Sequence, residues 1–317
     1  MKPDLLLIGG VTPRMMEKMN ANFTVHPLSE ITDFEYWIST IGDKIRAVAT
    51  NGHDGVKPDI MAALPGLEII SCYGVGYDAI DTVNAVERGI TVTHTPSVLN
   101  ADVANLAILL MLATSRCLVR DDNWVRSGNW SKSGNSPLTR SIENKKVGIL
   151  GLGRIGGEIA RKLQVFGCEI SYHTRSKKDV TYKYENNLVR MASDVDYLIV
   201  ITPGGAATNK LVNREVMDAV GPEGTLINVA RGSVVDEAEL VLALQEGRLG
   251  WAGLDVFEDE PNAPEALFEL DNVVFTPHSA SATVETRQAM GDLTVDNLIS
   301  FFKDGKAITP VPECENF

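Results

Sequence analysis

Val147-Gly-Ile-Leu-Gly-Leu-Gly-Arg-Ile-Gly156 carries an apolar run straight into glycines at 151, 153 and 156. A helical pattern from Glu158 to Phe166 follows, and then a second apolar run, Glu169–Tyr172. Strand, glycine turn, helix and strand in that order suit a bound dinucleotide. The turn is tight, the backbone is bare enough for a pyrophosphate to approach, and a helix N-terminus faces its charge. Gly151, Leu152, Gly153, Arg154, Ile155 and Gly156 are therefore the candidate pyrophosphate residues.

Working outward, the same rhythm recurs on both sides. Leu5–Ile8, Ala47–Ala49, Glu68–Ser71 and Thr91–Thr93 precede the glycine turn, and Tyr197–Ile201, Thr225–Val229 and Val273–Phe275 follow it. Short apolar runs bounded by Gly, Pro or Asn suit strands buried on both faces, and strands alternating with helices imply parallel sheets. The expectation is an α/β chain of two doubly wound units. Between them, Asn100 to Arg116 reads as a buried helix, and Arg126 to Ser141, rich in Ser, Asn and Gly, reads as an exposed arm. A last helix begins after Thr283 and ends near Lys303.

The chain has 317 residues, 44% hydrophobic and 22% charged, which is the balance of a globular protein with ample core. Its net charge of −13 repels polyanions, so no nucleic-acid partner is expected. Four scattered cysteines without a CxxC pair point to free thiols in a reducing compartment rather than disulfides, and no metal site is expected. The N-terminal run is broken by Gly9 and Gly10 and reads as a first strand, not a signal peptide. Leu106 to Ala113 is far shorter than a membrane span, so the expected location is the cytoplasm.

Cofactor choice is read where the second strand after the glycine turn ends. There an acid would hold a ribose 2′-hydroxyl, but the segment is Tyr172-His-Thr-Arg-Ser-Lys-Lys178, with no carboxylate before Asp179. Thr174, Arg175 and Ser176 suit a 2′-phosphate instead, which favours NADPH, with NADH used less well. Downstream, Arg231 follows the strand Leu226–Val229, Glu260 lies in Leu-Asp-Val-Phe-Glu-Asp-Glu-Pro, and His278 follows Val273–Phe275. Reduction of a 2-keto acid needs a fixed cation and a proton donor for the carbonyl oxygen. Arg231 suits the first task and His278 the second, with Glu260 orienting the imidazole. In the first unit, Gly74 and Gly76 permit a turn whose Val75 and Gly76 amides grip a carboxylate.

These segments, with Tyr73-Gly-Val-Gly-Tyr-Asp78, Gly89-Ile-Thr-Val-Thr-His-Thr-Pro96, Gly253-Leu-Asp-Val-Phe257 and Thr276-Pro-His278, resemble the D-isomer-specific 2-hydroxyacid dehydrogenases over nearly the whole chain. Within that family the chain looks most like glyoxylate/hydroxypyruvate reductases and their hydroxyphenylpyruvate-reducing relatives. The resemblance implies a Rossmann-type nucleotide domain, 99–286, with a dimerisation arm at about 100–141. A flavodoxin-like substrate domain would comprise 1–98 and 287–317. It assigns Arg231, Glu260 and His278 as catalytic, adds Pro203 to the cofactor set, and places Asp255 near the nicotinamide carboxamide. It also implies a homodimer reducing glyoxylate or hydroxypyruvate to glycolate or D-glycerate. Two alternatives stand beside it: an NAD-linked D-2-hydroxyacid dehydrogenase acting on a substrate such as phenylpyruvate or pyruvate, and a dinucleotide-sensing corepressor. The chain departs from the family pattern at Asn105, Asn144 and Ala280. Asn tolerates the left-handed backbone that a glycine at 144 would otherwise supply.

Overall fold

Residues 2–315 are described in a computed structural model; Met1 and residues 316–317, to which the expected domain bounds extend, lie outside them. The chain divides into two units, Met1–Leu99 with Ala282–Phe317, and Asn100–Ser281. The second junction falls at Ala282 rather than at 287. The reason is local: Thr283 caps the last helix, Val284–Asp304, by accepting the Thr286 N–H, so the helix enters the first unit whole.

The first unit is a five-stranded sheet of β1 (Asp4–Leu7), β2 (Thr24–Pro27), β3 (Ile45–Asn51), β4 (Ile69–Tyr73) and β5 (Thr91–Thr93). Every pairing is parallel, in the order β2-β1-β3-β4-β5, the flavodoxin-like arrangement. β3, β4 and β5 are almost wholly buried, which is why β3 and β4 stand out as apolar runs; β5 is Thr-Val-Thr. β2, Thr-Val-His-Pro, is an edge strand with one strongly apolar residue and was invisible to that reading.

The second unit is a seven-stranded parallel sheet: β6 (Lys146–Leu150), β7 (Glu169–His173), β8 (Lys183–Tyr184), β9 (Tyr197–Val200), β10 (Thr225–Asn228), β11 (Trp251–Leu254) and β12 (Val273–Phe275). The order β12-β11-β10-β9-β6-β7-β8 reverses direction between β6 and β9. At such a switch point an open α/β sheet builds its crevice. β8 is two residues at an edge, too short for a pattern. β11 was masked by its small residues. Gly253 is small for a reason: a Cβ there would stand 2.8 Å from Ile227 and 3.0 Å from Leu110. The helix Asn100–Ser115 thus packs directly on the sheet, with Val103, Ala107, Leu110 and Met111 buried. Beyond it come the helix Leu118–Arg126, which composition did not reveal, and a largely exposed arm.

Asn144 has φ +57°, the left-handed conformation expected for an Asn in a glycine's place. Asn105 accepts a hydrogen bond from Lys162. Among the described residues no single helix is long and apolar enough to cross a membrane. None of the four cysteines is in a disulfide.

Candidate active site

The glycine turn leaves β6 at its C-terminal end, and each of its glycines answers a different demand. Gly151 has φ +104°, and a Cβ on it would lie 2.8 Å from the Ile201 carbonyl. A Cβ on Gly156 would lie 2.1 Å from the Gly151 carbonyl, so the helix cannot seat against the turn without glycine. Gly153 has open space where a Cβ would stand. The space there is wide enough for a pyrophosphate to approach, so the residues present fit a dinucleotide. The helix here is Arg154–Leu163, starting four residues earlier than its apolar pattern suggested, so its N-terminal amides meet the turn directly.

β7 ends at His173, and the Thr174–Ser176 turn is shaped by its own neighbours. Thr174 Oγ1 donates to the Ser176 carbonyl at 2.7 Å, and Tyr184 donates to the Thr174 carbonyl at 3.2 Å. Tyr172 Oη accepts the Lys178 N–H at 2.8 Å. Arg175 and Ser176 are left exposed, and Arg175 has no side-chain partner among the described residues. Pro203 lies exposed beyond β9, its carbonyl accepting from Thr208 Oγ1 at 2.7 Å.

Arg231 emerges beyond the C-terminal end of β10. Buried Asn228 braces the turn from both sides: its Oδ1 accepts the Ala230 N–H and its Nδ2 donates to the Arg231 carbonyl, each at 3.1 Å. The next residue, Gly232, lies so close to another loop that a Cβ would stand 1.9 Å from the Phe257 carbonyl carbon. That second loop carries Glu260. One Glu260 oxygen accepts the Phe257 N–H at 3.1 Å and the other meets His278 Nδ1 at 2.6 Å. A carboxylate only accepts, so Nδ1 carries the proton in this pair. Nε2 has no partner among the described residues, and the His278 side chain is 42% exposed against 19% for Glu260.

His278 sits at φ +47°, a conformation that costs an L-residue roughly 1–2 kcal/mol. Asp255 holds it there. The Asp255 carbonyl accepts the His278 N–H at 2.7 Å. Its carboxylate takes Thr276 Oγ1 at 2.7 Å, the Ser279 N–H at 2.8 Å and the Ala280 N–H at 3.1 Å. Asp255 is wholly buried, and burial pushes its carboxyl up from the ordinary range against the pull of those donors. The carboxylate thus serves the His278 turn, which the sequence did not show. Ala280, another departure from the family pattern, is buried with its amide committed to this carboxylate.

In the first unit the turn after β4 presents Val75 and Gly76. Neither N–H meets an acceptor among the described residues. Among the described residues no group of three or more His, Cys, Asp or Glu is arranged to hold a metal ion.

The family model for the D-isomer specific 2-hydroxyacid dehydrogenase NAD binding domain matches residues 108–280, which include the glycine turn, Arg231, Glu260 and His278. The chain belongs to this family. The enzyme is an NAD(P)-dependent 2-hydroxyacid dehydrogenase. It is 44% identical to a 2-ketogluconate reductase of Gluconobacter oxydans, over 98% of this chain and 99% of that protein. It is 50% identical to a glyoxylate/hydroxypyruvate reductase of Arabidopsis thaliana, over 86% of this chain and 88% of that one. Among solved structures it is similar to an NADPH-dependent glyoxylate/hydroxypyruvate reductase of Sinorhizobium meliloti in complex with NADP and malonate. That match has a TM-score of 0.93 and 46% identity, covering 99% of the dehydrogenase and 98% of the other chain.

Three supports of the dehydrogenase's site went unread in the sequence: Asn228, Gly232 and the turn-holding carboxylate of Asp255. The signal for Gly232 was present in Asn228-Val-Ala-Arg-Gly232, where a glycine directly after a candidate catalytic arginine marks a close backbone approach.

Proposed function

We propose that the enzyme is an NADPH-dependent reductase of small 2-keto acids, with glyoxylate and hydroxypyruvate as its substrates and glycolate and D-glycerate as products. The observation that carries this reading is the His278–Glu260 pair. One ring nitrogen is tied to a carboxylate and the other is open, on a turn held by a buried acid. His278 Nε2 gives its proton to the carbonyl oxygen as that oxygen gains charge, and Glu260 stabilises the proper ring orientation throughout. The Arg231 guanidinium binds the substrate's carboxylate and carbonyl oxygens through its planar fork. The Val75 and Gly76 amides bind the carboxylate.

The cofactor, when bound, supplies a hydride to the keto carbon. Gly151 to Gly156 hold its pyrophosphate, with Leu152, Arg154 and Ile155 contributing from the turn and the helix start. Thr174, Arg175 and Ser176 take the 2′-phosphate, and Pro203 lines the cofactor's path. Asp255 belongs to this set, near the nicotinamide carboxamide, and its carboxylate also holds the His278 turn. An exposed, unpaired Arg175 with no acid beside it supports NADPH over NADH, as does the NADP bound by the Sinorhizobium meliloti relative.

The enzyme works as a homodimer joined through its second unit. Support comes from exposed Leu109, Leu118, Val119, Val125, Trp130 and Leu138 on the core helix, the next helix and the arm. Its free cysteines fit the cytoplasm.

The test is a panel of glyoxylate, hydroxypyruvate, pyruvate and phenylpyruvate, each assayed with NADPH and with NADH. The expected ranking puts glyoxylate or hydroxypyruvate with NADPH highest in kcat/KM. Highest efficiency with NADH, or with phenylpyruvate, overturns that part of the reading. No turnover of any pair overturns the whole.

A further inference from the structure

The two amides of the Val75–Gly76 turn are each held from behind. In a trans peptide the C=O of one residue and the N–H of the next point in opposite directions across one rigid plane. The Gly74 carbonyl, which shares its plane with the Val75 N–H, accepts the Thr95 N–H at 2.8 Å. The Val75 carbonyl, which shares its plane with the Gly76 N–H, meets His94 Nδ1 at 3.0 Å. Adjacent donors at 94 and 95 take adjacent carbonyls at 74 and 75, so both N–H groups are turned the other way. A carbonyl cannot donate, so His94 carries its proton on Nδ1.

His94 is itself fixed. Its N–H donates to the Thr309 carbonyl at 3.2 Å, and its carbonyl accepts Thr309 Oγ1 at 2.6 Å. Fully buried Asn297 holds Thr309 in turn, accepting its N–H at 2.8 Å and donating to its Oγ1 at 2.8 Å. The Tyr77 ring packs edge-on against the imidazole at 5.4 Å between centroids, and Tyr77 donates to Glu313 at 3.1 Å. Burial, with Glu313 beside it, pushes that phenol up to about 12, so it stays a neutral donor. A buried imidazole clamped this firmly and spent on a loop carbonyl does more than fill space.

We propose that His94 is a positioning residue for substrate binding, whose Nδ1–H orients and polarises the Val75–Gly76 peptide so that the Gly76 N–H binds the substrate carboxylate. This rests on the carboxylate-binding reading of the turn given above. Donation to a carbonyl strengthens the donor at the other end of the same amide, as in any hydrogen-bonded chain. The contact is made equally to bound substrate and to the transition state, so its loss appears in KM and not in kcat.

His94→Leu keeps the bulk and removes the donor. His94→Asn puts an N–H at nearly the same distance from the backbone. The Leu variant should raise KM for hydroxypyruvate about tenfold, the loss of one charge-assisted bond, and leave kcat within about twofold. Its dissociation constant for oxamate, an unreactive carboxylate, should rise by the same factor while NADPH affinity holds. The Asn variant should recover most of both losses. An unchanged oxamate affinity in the Leu variant overturns the proposal, as does an Asn variant as weak as Leu. If the parent turns over no keto acid but the oxamate pattern holds, His94's role stands and the reductase reading falls. Should the Leu variant not fold, nitrogen NMR of the parent decides. A protonated Nδ1 on His94 and a Gly76 amide that moves with oxamate support the proposal; an Nε2–H tautomer or an unmoved Gly76 amide overturns it.

Discussion

Replacing Asp255 by Ala removes a wholly buried carboxylate that accepts from Thr276, Ser279 and Ala280. Each orphaned buried donor costs about 1–3 kcal/mol, while removing a buried charge returns part of the total. The net should be about 2–4 kcal/mol, or about 5–12 °C in the melting of the second unit. The His278 N–H keeps its bond to the backbone carbonyl of residue 255, so the turn loosens rather than disappears. Loosening matters because His278 sits at φ +47° and must present Nε2 to within a fraction of an ångström. A misplacement of about 1 Å can cost on the order of a hundredfold, so kcat should fall by about that factor. Steady-state kinetics and differential scanning calorimetry measure both quantities.

The substitution Asp255→Asn adds a pH test with a definite sign. Burial raises the Asp255 carboxyl above its unfolded value, so its contribution to stability is complete below the unfolded value, about pH 4, and is lost as pH rises through the folded one. Asn does not titrate there. The stability of the parent relative to Asp255→Asn should therefore decline as pH rises from about 4 towards neutrality. Parental kcat and melting temperature in the Ala variant would refute the reasoning. A KM for NADPH raised as far as kcat is lowered would move Asp255 from the His278 turn to the cofactor.

Arg175→Ala should raise KM for NADPH far more than KM for NADH, by the roughly 1.5–3 kcal/mol of a charge-assisted contact. Equal effects on both cofactors would show that Arg175 meets no 2′-phosphate. Arg231→Lys should fold and bind NADPH, as measured by fluorescence titration, yet lose most keto-acid reduction, because an ammonium cannot reproduce the planar fork. Near-parental kcat/KM would make Arg231 structural. Gly232→Ala drives a methyl group into the Phe257 backbone, 1.9 Å from its carbonyl carbon, and should both destabilise the second unit and lower kcat. An active, fully stable variant would mean that the Arg231 and Glu260 loops can part without consequence.

The fold was legible where burial wrote it into the sequence. β3, β4, β6, β9 and β10 are largely apolar because they lie inside their sheets and are buried. β2 and β8 were missed because edge strands need no such run, and β11 because Gly253 gives way to Leu110 and Ile227. At the site, Arg231, Glu260 and His278 were legible because each sits in a compact motif near a strand end. Their supports were not. Asn228, Asp255 and His94 hold their loops through hydrogen bonds to backbone groups. Such bonds follow no period, and one residue type serves equally well in many other settings.

In the proposed reaction His278 Nε2 passes the proton that accompanies hydride transfer. The most direct measurement is the pH dependence of kcat/KM in both directions, keto-acid reduction with NADPH and hydroxy-acid oxidation with NADP. Reduction needs the imidazole charged and oxidation needs it neutral. Reduction should fall and oxidation rise with increasing pH, and both limbs should vanish in His278→Ala. Two profiles that move in the same direction, or that persist without the imidazole, would contradict this role for His278.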